Sequence, residues 1–145
     1  MSTDAKLAET TRAIASRHGS RPELLIQILH DVQADLGCVP ETSIVALAEE
    51  LNLSRADVHG VVSFYHDFRS EPPGRHTVKI CQAEACQAMG SRALTQHANT
   101  AVDADTTIEP VYCLGNCACA PAVMVNGKTI GRVDAARFDS LVAAL

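Results

Sequence analysis

The stretch YCLGNCACAPAVMVNGKTIGRV, Tyr112–Val133, carries the two signals that decide how the chain is read. Its second half is built around Asn126-Gly127, a dipeptide suited to the two positive-φ positions of a type I′ hairpin turn. Two short strands therefore flank that turn. Its first half crowds Cys113, Cys117 and Cys119, three of the six cysteines, into a loop of small residues. Such crowding implies a metal, a disulfide or a redox couple.

The neighbouring segments extend the pattern. HTVKIC, His76–Cys81, alternates and is rich in β-branched residues, as a strand should be. Ala85–Ala98 reads as a helix with Gly90 as its weak point. TTIEPVYC, Thr106–Cys113, is a further strand, kinked or at an edge because Pro110 offers no N–H to a ladder. DAARFDSLVAAL closes the chain as a helix with Asp134 at its N-cap. The order β-α-β-β-β-α is that of a thioredoxin-like domain.

Before SEPPGR, Ser70–Arg75, the signals are helical instead. Leu25, Ile28, Leu29, Val32 and Leu36 share one face of a helix over Leu24–Leu36. Gly37 and Pro40 end it. A second helix runs from Thr42, with Ile44, Leu47, Ala48 and Leu51 inward. Ser54 caps a third, with Asp57 as its capping-box partner and Val58, Val61, Val62 and Tyr65 on its apolar face. The chain is thus α+β: a helical module over residues 1–70, then a thioredoxin-like domain over 71–145.

Bulk properties narrow the function. The 145 residues carry a net charge of −5 and no run of basic residues interleaved with aromatics, which argues against nucleic acid as a partner. No window approaches the length of a membrane span, and the start has no apolar stretch of a secretory signal. The expectation is a soluble, cytoplasmic protein. In that compartment cysteines serve metal or redox chemistry more often than structural disulfides.

Cys81 and Cys86 form C-x4-C at a strand end and helix start, and Cys113 and Cys117 form C-x3-C after the next strand. Loops at neighbouring strand ends can bring four thiolates together, a set that suits structural zinc or an iron–sulfur cluster. An x3 spacing is unusual for zinc, and loops of small residues let backbone N–H groups approach sulfur. Both features favour a [2Fe–2S] cluster.

CQAEACQAMG, Cys81–Gly90, followed by CLGNCACAPAVMVNG, resembles the thioredoxin-like [2Fe–2S] family. That family includes the small iron–sulfur subunits of the NADH module of respiratory complex I and of NAD-reducing hydrogenases, and the gamma subunits of NAD-dependent formate dehydrogenases. Its pattern C-x4-C, then C-L-G-x-C-x-x-A-P, is met at Cys81, Cys86, Cys113, Leu114, Gly115, Cys117, Ala120 and Pro121. LGCVPETSIVALAEELNLSRADVHGVVSFYHDF, Leu36–Phe68, is similar to the family's helical stretch. The resemblance covers Pro22–Leu141 and leaves the N-terminal tail outside. It implies Cys81, Cys86, Cys113 and Cys117 as ligands of one cluster, a low-potential one-electron carrier. It also implies a partner subunit that binds FMN and NAD(H), and a larger catalytic subunit in the assembly. The wording of Cys81–Gly90 looks closest to the formate dehydrogenase gamma subunits. The chain itself supplies no general acid, base or nucleophile, so turnover with NADH is not expected from it alone.

The remaining candidates read as structural. Cys119 falls on a variable position of the family pattern and suits a small buried apolar residue; Cys38 in the turn after the first long helix is structural as well. Pro121 occupies the place where thioredoxin-like domains commonly hold a cis proline. Gly115 lets the cysteine loop turn sharply. His59 and His66, seven apart on one helix face, read as surface or interface residues, and His76 and His97 form no constellation. ELNLSRADVHGVVSFY resembles a helix-turn-helix, but its second helix carries only Arg55 as a cation, so the helical module reads as a docking surface for protein. Two other classes compete: a zinc-stapled docking module, and a dithiol oxidoreductase. The latter lacks the C-x2-C it would need.

Overall fold

A computed structural model describes residues 3–145, in two compact units: one ends at Pro72 and the other runs Pro73–Leu145. The division falls within Ser70–Arg75. Among the described residues no helix is long and apolar enough to cross a membrane.

The first unit is helical: α1 (Thr3–Arg17), α2 (Leu25–Leu36), α3 (Glu41–Glu50) and α4 (Arg55–Phe64). Gly37, at φ 80°, closes α2 in the left-handed conformation, and its N–H bonds back to the Gln33 carbonyl. The capping box of α4 forms as expected: the Ser54 hydroxyl accepts from Asp57 N–H, and the Asp57 carboxylate accepts from Ser54 N–H. Ile14, Ile28, Leu29, Val32, Leu47 and Val58 make a dry core. Helix α1, which the sequence does not single out within the helical module, runs ahead of Pro22 and buries Ile14 and Ala15. One expectation fails here. Tyr65 lies past the end of α4 and is 41% exposed, because the chain leaves the helix at that residue in extended conformation.

The second unit holds β1 (His76–Cys81), α5 (Glu84–Ala88), α6 (Ser91–Ala101), β2 (Thr106–Val111), β3 (Val123–Val125), β4 (Lys128–Ile130) and α7 (Ala135–Val142). The strand order is β2-β1-β3-β4, with β2 parallel to β1 and the others antiparallel. Pro110 is accommodated because β2 is an edge strand. Asn126 and Gly127 take φ 46° and 84°, as a type I′ turn requires. Asp134 caps α7 by accepting from Arg137 N–H. The single helix expected over Ala85–Ala98 is two: Gly90 at φ 97° separates α5 from α6. Val78 and Ile80, two apart and so on one sheet face, pack with Leu94, Ala98, Val123, Val133 and Phe138.

The entry to β1 is a close approach. A Cβ on Gly74 would overlap the carbonyl of Asp105, while the Gly74 N–H donates to Thr107 Oγ1 at 2.7 Å and His76 N–H to the same Asp105 carbonyl at 3.0 Å. Backbone atoms cannot rotate aside. Gly74→Ala is therefore expected to destabilise this unit by about 1–3 kcal/mol in urea titration. Gly60→Ala in the middle of α4, where a Cβ meets open space, is expected to stabilise by about 0.5–1 kcal/mol.

Candidate metal centre

All six cysteines are free thiols, and four of them gather at one end of the sheet. Cys81 ends the central strand β1, and Cys86 follows on α5. Both are 1% exposed and pack with Ala122, bordered by Ala83, Val111, Leu114 and Ala120. Cys113 follows β2 and is exposed, as is Cys117, the first residue of a short 3₁₀ turn ending at Cys119. Backbone bonds bind the loops to the strand: Cys81 N–H reaches the Ala122 carbonyl at 3.1 Å, and Gln82 N–H the Val111 carbonyl at 2.7 Å. Gln82 is fixed further through its amide, which donates to Thr95 Oγ1 at 2.6 Å.

The thiols are arranged as two pairs. Cys113 Sγ and Cys117 Sγ stand 3.8 Å apart, and the Cys86 thiol hydrogen-bonds Cys81. Two sulfurs at ~2.3 Å from one tetrahedral metal are separated by about 3.8 Å, so the exposed pair already has the spacing of shared ligands. Among the described residues, no three His, Cys, Asp or Glu side chains are placed to hold a single ion together. A two-and-two arrangement of thiols fits a dinuclear cluster, which takes two ligands on each iron.

The surrounding dipoles suit bound thiolates. Burial opposes ionisation of Cys81, but N–H groups of Ala83, Cys113 and Leu114, with the Cys86 thiol, hold it below the usual thiol range. Burial pushes Cys86 up, only partly offset by the Ala122 N–H, and the neighbouring Cys81 pushes the same way. Cys117 is raised chiefly by its hydrogen bond to Cys113 and by that neighbour's charge. Ionising four adjacent thiols costs repulsion that a bound cation removes. Gly115 N–H also donates to Cys113 Sγ, at 3.3 Å. Cys113 is held at φ 111°, uncommon for a residue with a Cβ, and Gly115 at φ 70° completes the sharp turn. The Ala120–Pro121 peptide is cis.

The four expected ligand positions are therefore brought to one place. Cys38 is buried in the first unit. Cys119 is half-buried rather than fully enclosed, because the 3₁₀ turn lies at the surface. His59 and His66 do not share a helix face, since His66 lies beyond α4; both instead line a cleft of about 330 Å³ with Glu41 and Tyr65. Backbone N–H groups near sulfur were expected from the small residues of these loops; that they are those of Ala83, Leu114 and Ala122 was not legible, because side-chain identity does not report where a backbone N–H points.

A thioredoxin-like sheet that gathers two pairs of thiols at one end has the architecture of a thioredoxin-fold iron–sulfur protein. Comparison with known proteins agrees. The family pattern of thioredoxin-like [2Fe-2S] ferredoxins matches residues 11–145, and the chain belongs to that family. The match begins within α1, ahead of Pro22. Its cofactor is a [2Fe–2S] cluster. A subunit of the NADH-quinone oxidoreductase of Pseudomonas aeruginosa is 35% identical over 117 residues, 74% of this chain and 70% of the relative. NADP-reducing hydrogenase subunit HndA of Solidesulfovibrio fructosivorans is 30% identical over 129 residues, 82% and 75% respectively. A crystal structure of an NAD+-reducing [NiFe]-hydrogenase in its H2-reduced state superposes with TM-score 0.65 at 26% identity. That match covers 83% of this chain but only 22% of the hydrogenase chain.

Cys86→Ala and Cys117→Ala are expected to purify with at least ~10-fold less iron and sulfide than the wild type, by elemental and colorimetric analysis. Cys38→Ala and Cys119→Ala are expected to keep the full content.

Proposed function

We propose that this chain is an electron-transfer subunit whose Cys81, Cys86, Cys113 and Cys117 hold one [2Fe–2S] cluster. The cluster supplies reversible one-electron chemistry. The chain's residues do the rest. Cys81 and Cys86 anchor one side of the site in a dry pocket, where Ala83, Leu114 and Ala122 direct N–H dipoles at sulfur. Cys113 and Cys117 present the other side to solvent, where a redox partner can approach. The exposed thiol pair at 3.8 Å, beside a buried pair wrapped in N–H donors, carries this reading.

The partner is a flavin- and NAD(H)-binding subunit of the same complex, with a larger catalytic subunit in the assembly. The support is that the relatives named above are subunits of NAD(P)(H)-linked complexes. Three narrower readings stand. The wording of Cys81–Gly90 supports the gamma subunit of an NAD-dependent formate dehydrogenase. The 35% identity to the Pseudomonas relative supports the NADH module of a quinone oxidoreductase, and the hydrogenase relatives support a hydrogenase equally. Purifying the native assembly through a tag on this chain, then assaying NAD+ reduction by formate and by H2 and quinone reduction by NADH, separates them.

The anaerobically purified chain is expected to be brown, with about two irons and two sulfides, and EPR-silent until dithionite produces one S = ½ signal. It is expected to show no turnover with NADH alone. A colourless chain with stoichiometric zinc, obtained with iron and sulfide supplied, would make it a zinc-stapled docking module and remove the electron-transfer reading.

A further inference from the structure

Gly131, directly after the hairpin, is a glycine for lack of space and not for backbone freedom. Its φ lies outside the left-handed region, so an alanine could adopt its backbone. A Cβ there would nevertheless stand 2.5 Å from Cys119 Cβ, 2.7 Å from Asn116 Nδ2 and 2.7 Å from the Cys119 carbonyl oxygen. Real Cβ atoms do not approach so closely, and two of these three atoms belong to the backbone or sit next to it. Asn116 and Cys119 bracket Cys117. Gly131 thus lies directly against the turn that presents this thiol.

The contact is reinforced on both sides. Arg132 N–H donates to the Cys119 carbonyl at 2.6 Å, and Val133 N–H to the Pro121 carbonyl at 3.0 Å. Within the turn, Cys119 N–H bonds the Asn116 carbonyl at 3.0 Å and Ala120 N–H the Cys117 carbonyl at 3.2 Å. Cys117 therefore cannot hold its place if Cys119 lifts. Three residues on, Ala122 is fixed to the end of β1 through Cys81 N–H.

From this geometry we infer that Gly131 is a positioning residue for the metal centre: its missing side chain lets the segment 131–133 clamp the 116–119 turn and set the Cys117 thiol 3.8 Å from Cys113. Cys119 then has a packing role, as the small residue that rests on Gly131. The inference builds on the electron-transfer reading above, because it concerns how one of the four thiols is held.

The test compares the full wild-type chain with Gly131→Ala and Gly60→Ala, each reconstituted anaerobically with iron and sulfide. Gly131→Ala is expected to keep the wild-type far-UV circular dichroism but to lose its visible absorption to a chelator at least ~10-fold faster. The cluster it retains is expected to show altered EPR g-values and a shifted midpoint potential, while Gly60→Ala matches the wild type in all three. Wild-type g-values, potential and loss rate in Gly131→Ala overturn the inference. If Gly131→Ala loses its circular dichroism, hydrogen exchange of the wild-type chain decides, because the clamp rests on the Arg132 and Val133 N–H groups that bond the Cys119 and Pro121 carbonyls. Protection of both amides to the level of Cys81 N–H supports the clamp, and exchange at the rate of an exposed loop overturns it. A wild-type chain that takes up zinc and no iron–sulfide chromophore sinks the electron-transfer reading instead. The clamp is then judged on zinc alone: faster release from Gly131→Ala supports it, and equal release overturns it.

Discussion

Cys81 and Gln82 donate their backbone N–H groups to the two ends of one loop, and the metal centre depends on that pair of bonds. Successive residues of a strand address opposite neighbours. Cys81 N–H therefore reaches Ala122, beyond the second cysteine loop, while Gln82 N–H reaches Val111, just before it. The loop that carries Cys113 and Cys117 is held at both ends by the residue that carries the first thiol and its neighbour. A central strand with partners on both sides is what makes this geometry available. An edge strand could fix only one end.

The same strand explains why the site is unequal across its width. Cys81 and Cys86 sit where the sheet, α5 and Ala122 close over them, and there an ionised sulfur needs N–H donors to offset the loss of water. Ala83, Cys113 and Leu114 supply them to Cys81. Cys113 and Cys117 lie on loop residues past the edge strand, where solvent does that work. One end of the site is thus rigid and dry, and the other is reachable.

Much of this was legible in the sequence, where a local rule had no competitor. The type I′ turn at Asn126-Gly127, the caps at Ser54 and Asp134, and the edge position of Pro110 each follow from one residue's backbone chemistry. Cysteine spacing identified the two pairs for the same reason. The misses have physical causes. Helix α1 buries Thr11, Ile14 and Ala15, and Thr11 hydrogen-bonds Ser43 at 2.8 Å, so its inner face is partly polar and its apolar periodicity is weak. Gly90 was marked as a weak point, but only the chain's need to turn there decides between a tolerated glycine and a break at φ 97°. Donors to sulfur were expected from the small loop residues, but which residues supply them was not legible, because every residue but proline has an N–H.

The small residues of Cys113–Ala122 then answer two demands at once. Backbone N–H groups must come within hydrogen-bonding distance of sulfur, which requires tight turns such as those at Cys113 and Gly115. The segment after the hairpin must also lie against the turn at Cys117–Cys119, which requires a missing Cβ at Gly131 and a short side chain opposite it. Cysteine at position 119 meets the second demand without joining the first. On the proposed reading, three cysteines in one loop do not make three ligands: two serve through their sulfur and the third through its size.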